Sequence, residues 1–198
     1  MSEHDYREQL AVVRAMVERT RRRTAESGRF FIWLGVVALI GVVVIAGLEL
    51  AGRNALVLPA LIVVAVASGI VGYLAFSRTQ REPRVKSYAS TVSGYVWFAV
   101  GIANILVALV LPLIGAYDWN LVPILTCVVL GVGVFSTGAI FELPAVGWCA
   151  FAWWGVAVGM VFVHGSPRAA MMAAAIGAGW ILPGILFARL SGGEAADV

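Results

Sequence analysis

The sequence predicts an all-α integral membrane protein, a bundle of six transmembrane helices preceded by an amphipathic cytoplasmic helix. Hydrophobic residues make up 61% of the 198 positions and charged residues 13%, whereas a soluble domain of this size needs more polar surface. The apolar residues are concentrated in six runs, each about as long as the hydrocarbon core of a bilayer requires. Eleven of the fourteen basic residues lie in two short segments, one of which precedes the first run directly.

The first predicted domain, residues 1–29, contains a helix over residues 3–24 with a narrow uncharged seam. The seam residues are alternately four and three positions apart: Tyr6, Leu10, Val13, Val17, Thr20 and Thr24. The seam could pair with a second copy, dock on a cytoplasmic partner, or lie on the membrane with its arginines against lipid phosphates. A solvated helix that packs on its own loop explains the pattern about as well.

The second predicted domain, residues 30–190, is the transmembrane bundle, followed by a short tail, 191–198. An even number of spans puts both termini on one side, and twelve of the fourteen basic residues then share that side. The positive-inside rule makes it the cytoplasm, with the basic loop 77–90 inside as well. The predominance of Arg over Lys favours a bacterial plasma (inner) membrane. The six spans are predicted near 30–48, 56–76, 92–111, 121–140, 145–163 and 169–188.

Basic residues near the predicted inner surface are the candidates for contact with anionic lipid headgroups or a partner protein. They are Arg19, Arg21, Arg22, Arg23, Arg29, Arg78, Arg81, Arg84 and Lys86. No base-reading or stacking module accompanies them, so nucleic acid is not a predicted partner.

Three polar side chains are predicted near mid-membrane: Asn104, Thr126 and Ser68. An interhelical hydrogen bond is the favoured role for Asn104, and a polar point on a solute path is the alternative. Glu49, Asp118, Glu142 and His164 fall at span ends, which disfavours ion-coupled transport. In the sixth span, Pro183 predicts a break in the helical hydrogen bonding.

The sequence gives little support for catalysis, and no cofactor or metal is predicted. Ser136 and His164 belong to opposite ends of neighbouring spans, too far apart for a nucleophile and its base. His4 and His164 fall on opposite sides of the membrane, so they cannot share a zinc ion. Cys127 and Cys149 differ too much in depth to form a disulfide.

Weaker patterns remain in the apolar runs. A 64-residue offset superposes Trp33 on Trp97, Pro59 on Pro123 and Gly69 on Gly133, a hint of a repeated two-helix hairpin. Small residues at four-residue spacing favour helix packing within one subunit over a homo-oligomer. They are Gly155 with Gly159, Ala173 with Gly177, and Ala65 with Gly69. The deep indoles of Trp153, Trp154 and Trp180 favour core or lipid-facing packing over a slot for a lipid tail.

These observations favour a non-enzymatic multi-pass membrane protein, a scaffold or regulatory subunit that acts on a cytoplasmic or membrane partner. The reason is the location of its charged residues, nearly all of which are predicted on the cytoplasmic side of the membrane. The alternative is a small facilitator or channel for a neutral or apolar solute, motivated by Asn104, Thr126 and the break at Pro183.

Overall fold

The computed structural model of this chain describes residue 28 and residues 31–80, 88–165 and 167–192. In this part of the chain the regular structure is helical, without β-strands. Within the described residues, six helices are long and apolar enough to cross a membrane, in agreement with the six spans predicted. The predicted helix of residues 3–24 lies outside the described residues. We label the six spans α1 to α6: Phe31–Leu50, Asn54–Leu74, Thr91–Leu113, Trp119–Ile140, Pro144–Phe162 and Pro167–Phe187.

The helical hydrogen bonding does not stop where the apolar stretches stop. After a 3-10 turn, Asn54–Leu56, the α-helix of α2 covers Val57–Gln80 and continues six residues past Leu74. α1 is one uninterrupted α-helix, whereas α3 to α6 are built from consecutive helical pieces. These are Tyr88–Ile105, Leu106–Val110 and Leu111–Leu113 in α3; Trp119–Leu121 and Val122–Ile140 in α4; Pro144–Trp148 and Ala150–Phe162 in α5; and Pro167–Ile176, Gly177–Ile181 and Leu182–Gly192 in α6.

The centre of the bundle lies between α4 and α5, which pack together more extensively than any other described pair of helices. Both α3 and α6 pack on this pair. Among the described residues, the five largest fully buried side chains come from α1, α5 and α6: Trp153, Phe31, Phe187, Met160 and Ile176. Val134, Thr137 and Cys127 of α4 are fully buried as well. Because lipid is as apolar as these side chains, dispersion contacts rather than exclusion from water hold the centre together.

The second helix stands apart from this core. None of the residues in its membrane-spanning stretch is buried, whereas 44% of the corresponding α4 stretch is. α2 approaches α1 closely at Gly41, where an added Cβ would lie 2.7 Å from a methyl carbon of Val64. α2 is therefore a peripheral helix that packs on α1.

The two ends of the bundle are distinguished by an aromatic cluster. Phe31, at the start of α1, stacks on Phe187 of α6 with ring centroids 5.9 Å apart. Phe187 in turn makes an edge-to-face contact with Phe141, which follows α4. The start of α1, the end of α6 and the α4–α5 turn thus lie at one end, called here the Phe31 end. The other end, called the Arg168 end, contains the α3–α4 and α5–α6 connections.

Within the described part of the chain, two helices carry a π-helical turn that ends two positions before a proline. In α3 the turn covers Leu106–Val110, and the Leu111 N–H donates to the Leu106 carbonyl instead of the Val107 carbonyl. In the π register the next donor would be residue 112, but Pro112 has no N–H. The Tyr117 hydroxyl takes over this role and donates to the Val107 carbonyl.

The same arrangement recurs in α6, where the sequence predicted a break at Pro183. The π turn Gly177–Ile181 ends with the Leu182 N–H donating to the Gly177 carbonyl, one residue before that proline. The break predicted from Pro183 is confirmed. The helix widens into one π-helical turn, which changes the hydrogen-bond register just before the proline that lacks an N–H.

The stripes of small residues do not all serve packing inside the subunit. A Cβ added to Gly69, Gly155 or Gly177 would meet no atom of another element within 4 Å. Gly159 does face a neighbour, because its added Cβ would lie 2.6 Å from the terminal methyl of Met171 on α6. The expectation of packing within one subunit was therefore wrong for three of these four glycines, since each faces away from the other helices.

The hairpins superposed by the 64-residue offset have different surroundings. Trp33 of α1 is 63% exposed, whereas Trp97 of α3 is hydrogen-bonded to the core. Gly69 faces open space, whereas Gly133 packs against Val100. The first hairpin is peripheral and the second central, so a repeated origin stays a prediction.

Candidate functional site

The predicted basic contact residues fall at the margins of the structure. Arg78 lies on the helical extension of α2 beyond Leu74. The other eight lie outside the described residues: Arg19, Arg21, Arg22, Arg23, Arg29, Arg81, Arg84 and Lys86.

The predicted mid-membrane polar residues do not form a joint site. Asn104, Thr126 and Ser68 lie on α3, α4 and α2, and each is half-buried. No hydrogen bond joins any two of them within the described part of the chain. The side-chain oxygen of Asn104 is buried without a hydrogen-bond partner. The interhelical hydrogen bond expected of Asn104 is therefore not made by this oxygen.

A side-chain hydrogen bond between two helices does occur elsewhere, between Trp97 of α3 and Thr137 of α4. The Trp97 indole N–H donates to the Thr137 hydroxyl over 3.0 Å, and that hydroxyl donates to the Gly133 carbonyl over 2.8 Å. Thr137 is 1% exposed, and it is the one polar or charged residue in the buried core of the described chain. A threonine four residues after a glycine in a helix was the available signal, since its hydroxyl can bond the preceding turn.

The deep indoles of α5 and α6 are core residues, as the sequence favoured. Trp153 is fully buried, Trp180 is nearly so, and their rings meet edge to face with centroids 5.2 Å apart. Gly179 makes room for Trp153, because an added Cβ there would lie 1.9 Å from the indole nitrogen. Neither indole N–H has a hydrogen-bond partner. Trp154 lies further out, and its indole N–H donates to the Val128 carbonyl over 3.3 Å.

An open groove lies at the Phe31 end of the described residues, where α4 turns into α5. Its volume is about 430 Å³, within the range of small-molecule sites. Phe135 and Ala139 of α4 form one wall, and Trp148 and Phe151 of α5 form the other. The lining is apolar apart from Glu142 in the turn, which lies at the rim and is exposed. We call this feature the α4–α5 groove.

Two glycines form the floor of the α4–α5 groove. A Cβ added to Gly138 would lie 2.4 Å from the backbone nitrogen of Gly147, so no side chain fits between the two backbones. The bulky Phe135, Trp148 and Phe151 stand on either side of this contact. The groove therefore exists because small residues draw the helices together while large ones project beside them.

The turn that carries Glu142 closes the end of α4 with a left-handed residue. The Leu143 N–H donates to the Gly138 carbonyl over 2.8 Å, and the Glu142 N–H donates to the Ala139 carbonyl over 3.3 Å. This is a Schellman-type helix end, in which the left-handed position is usually glycine. Glu142 occupies it with φ +54°, a conformation that costs an L-residue roughly 1–2 kcal/mol.

At the Arg168 end, the side chain of Arg168 at the start of α6 forms hydrogen bonds with the end of α5 and the start of α4. The Arg168 guanidinium donates to the Val163 carbonyl over 2.6 Å and to the Met160 carbonyl over 2.9 Å. The Met160 carbonyl lies in the last turn of α5, where the helix lacks its own donors, and Val163 is the residue that directly follows the helix. A third bond, 3.1 Å long, reaches the Asn120 carbonyl at the start of α4. No sequence pattern indicated this role of Arg168.

The groups weighed for catalysis are not brought together. Ser136 lies two residues before Gly138, at the Phe31 end, whereas His164 follows α5 at the Arg168 end. Cys127 and Cys149 are free thiols, the former 3.8 Å from the Met172 sulfur. Within the described ranges, no three His, Cys, Asp or Glu side chains form a group that could hold a metal ion.

Comparisons of this chain with protein-family models, with curated proteins and with solved structures find no match.

Proposed function

We propose that this chain is a non-enzymatic membrane subunit that acts by binding a cytoplasmic or membrane partner. In this proposal both termini lie in the cytoplasm of a bacterial plasma membrane. The observation that carries it is the filled apolar centre, in which Trp153, Met160 and Phe187 are fully buried. A centre of this kind favours a binding role over a passage for solutes.

The helical extension of α2 supports the choice of binding surface. The helix continues from Leu74 to Gln80, which is about 9 Å at the helical rise per residue. This extension starts the basic segment that ends at Lys86. In this proposal the charge of the basic segment, which follows the apolar stretch in the sequence, meets an acidic protein surface or anionic headgroups.

A crosslinking experiment in native membranes tests this proposal. In one variant, Arg78, Arg81, Arg84 and Lys86 are changed to Gln, and in a second, residues 2–18 are deleted. The control is Arg53→Gln, which removes an exposed charge at the Arg168 end. We expect crosslinked partner recovery to fall severalfold in at least one of the first two variants and to stay unchanged in the control. Equal recovery from all chains would contradict the proposal.

A labelling experiment tests the proposed orientation. Cys127 and Cys149 are first replaced by Ala, and single cysteines are then introduced as Pro83→Cys or His164→Cys. A membrane-impermeant maleimide applied to intact cells is expected to label the second variant and not the first. Labelling of the first variant from outside would overturn the cytoplasmic placement of the basic loop.

A facilitator for a small neutral solute is the second candidate, because the Asn104 oxygen is buried without a partner. A buried acceptor of this kind would offer a solute a hydrogen bond that the protein does not use. Glycerol or urea flux into proteoliposomes, measured for the natural chain and for Asn104→Leu, tests this role. Flux no faster than in empty liposomes would exclude it for these solutes.

A further inference from the structure

Sulfur-containing side chains from three helices meet in the core. Cys127 of α4 and Met160 of α5 are fully buried, and Met172 of α6 packs against the same buried cluster. The Sγ atom of Cys127 lies 3.8 Å from the Sδ atom of Met172, a contact between side chains 45 positions apart in the chain. Both kinds of sulfur are ligands for soft metal ions. The fold therefore places two such ligands in direct contact inside the membrane-spanning region.

Met160 and Met172 occupy corresponding positions on two antiparallel helices. Trp153 of α5 packs on Gly179 of α6, where an added Cβ would lie 1.9 Å from the indole nitrogen. Met160 lies seven residues after Trp153, and Met172 lies seven residues before Gly179. Seven residues make two helical turns, about 10 Å, so each methionine keeps the helix face of its reference residue. Met160 and Met172 are thus at the same level between the helices.

The separation of the Cys127 and Met172 sulfurs fits a shared metal ion. Two sulfur ligands at about 2.3 Å from one trigonal or tetrahedral ion are about 3.8–4.0 Å from each other. The observed distance of 3.8 Å lies in this range. Met160 supplies a third sulfur from a third helix at the same level.

The charge of the three side chains selects the ion. Thioethers are neutral, and a cysteine that coordinates a metal is a thiolate with a single negative charge. The acidic residues and the histidine of the described chain lie at span ends: Glu49, Asp118, Glu142 and His164. A monovalent ion with one thiolate therefore has no net charge, whereas a divalent ion would leave a costly positive charge in the hydrocarbon. Among the metals that prefer thiolate and thioether ligands, Cu(I) is the monovalent one.

We propose that Cys127, Met160 and Met172 bind one Cu(I) ion between α4, α5 and α6. Binding breaks the S–H bond of Cys127 and forms a Cu–S bond, and the proton passes to the solvent. Copper stays in the Cu(I) state throughout, so no oxidant or reductant is consumed. The site uses only core side chains, so it is independent of the basic segments in the proposed binding role.

Competition with a coloured Cu(I) chelator tests this site. The full chain, purified in detergent and kept free of oxygen, is titrated into the Cu(I) complex of bicinchoninate, and the loss of colour measures the copper taken up. We expect a single Cu(I) per chain. Cys127→Ala and Met172→Leu should each lower the affinity at least about tenfold, because loss of an outer-shell group alone costs metal sites about 10–100-fold. Met172→Leu conserves volume, so this variant should stay folded.

Cys149→Ala is the matched control. The Cys149 thiol lies near the start of α5, at the Phe31 end, and donates to the Ala145 carbonyl over 3.3 Å. This variant should bind Cu(I) as tightly as the natural chain. Unchanged affinity in Cys127→Ala or in Met172→Leu would overturn the proposal and leave the sulfur contact as core packing alone.

X-ray absorption of the copper-loaded chain tests the ligand set. We expect three sulfur neighbours around copper in the natural chain and two in Met160→Leu, which conserves volume as well. A first shell of nitrogen or oxygen would overturn the site. Three sulfur neighbours in Met160→Leu would overturn the role of Met160 as the third ligand.

Discussion

Gly138 and Gly147 bring the end of α4 and the start of α5 into backbone contact. A Cβ placed on Gly138 would lie 2.4 Å from the Gly147 nitrogen and 2.6 Å from its Cα. A Cβ placed on Gly147 would have only the Gly138 Cα nearby, at 4.0 Å. Both glycines are buried, yet only one of them has no room for a side chain.

This asymmetry predicts opposite responses to alanine. Gly138→Ala should lower the free energy of unfolding by about 1–3 kcal/mol, because the overpacked neighbour is backbone that cannot rotate away. Gly147→Ala should be neutral or slightly stabilising, since alanine favours the helix. Unfolding by SDS in mixed micelles, followed by circular dichroism, measures both. Equal losses in the two variants would contradict the backbone contact.

A second matched pair lies in the π turn of α6. Gly179→Ala should lower the free energy of unfolding by roughly 1–3 kcal/mol, because the added methyl falls on the fully buried Trp153 indole. Gly177→Ala, in the same turn, meets open space and should change stability little. The near-ultraviolet circular dichroism of tryptophan should change in the first variant alone. An unaltered spectrum there would mean that the indole is not held against Gly179.

Arg168 is expected to stabilise the Arg168 end of the bundle. Arg168→Met should cost about 2–4 kcal/mol, because the Val163 and Met160 carbonyls lose a charged donor. Arg168→Lys should recover only part of this loss, since one ammonium cannot reproduce the planar fork. Arg53→Met, at the same end and exposed, is the control and should be near neutral. The same SDS titration measures all three, and a full rescue by lysine would contradict the multiple contacts.

Relief of backbone strain at Glu142 should be measurable as stability. Glu142→Gly is expected to raise the free energy of unfolding by about 1 kcal/mol, because glycine adopts φ +54° without penalty. Glu142→Ala keeps the strain and should leave stability nearly unchanged. A thermal shift in the same detergent compares the two variants. A gain for alanine as large as the gain for glycine would show that the carboxylate, and not the backbone, is the cause.

The Tyr117 hydroxyl should matter because Pro112 leaves the Val107 carbonyl without its backbone donor. Tyr117→Phe is expected to cost roughly 1–3 kcal/mol, the range for an unsatisfied buried acceptor. Tyr95→Phe removes a hydroxyl from a side chain that is 72% exposed and should have little effect. Chemical unfolding of both variants provides the comparison. Equal stability would show that Val107 finds another donor.

The number of spans and the break at Pro183 followed from sequence because each depends on local properties. Hydropathy adds along a helix, and proline lacks an N–H whatever surrounds it. The span limits differ by a few residues, as for 92–111 against Thr91–Leu113, because hydrogen bonding and hydropathy end at different places.

The packing could not be predicted because lipid-facing and core-facing residues are equally apolar. α2 has a mean hydropathy of 2.5 and no buried residue, whereas α4 has 2.1 and is the most buried span. Periodicity therefore carries little information about which face is inside. The role of Arg168 was hidden for another reason. Its partners Asn120 and Met160 are brought to it only by the folded chain.

The peripheral position of α2 has a consequence for how sequence change is tolerated. Since no side chain of its apolar stretch is buried, exchanges among oily residues there should leave the remaining five helices undisturbed. The contact of Val64 with Gly41 restricts the choice of shape at that position. The lipid-facing side chains of this helix can therefore change to suit a particular bilayer or neighbouring protein, with little effect on the stability of the other five helices.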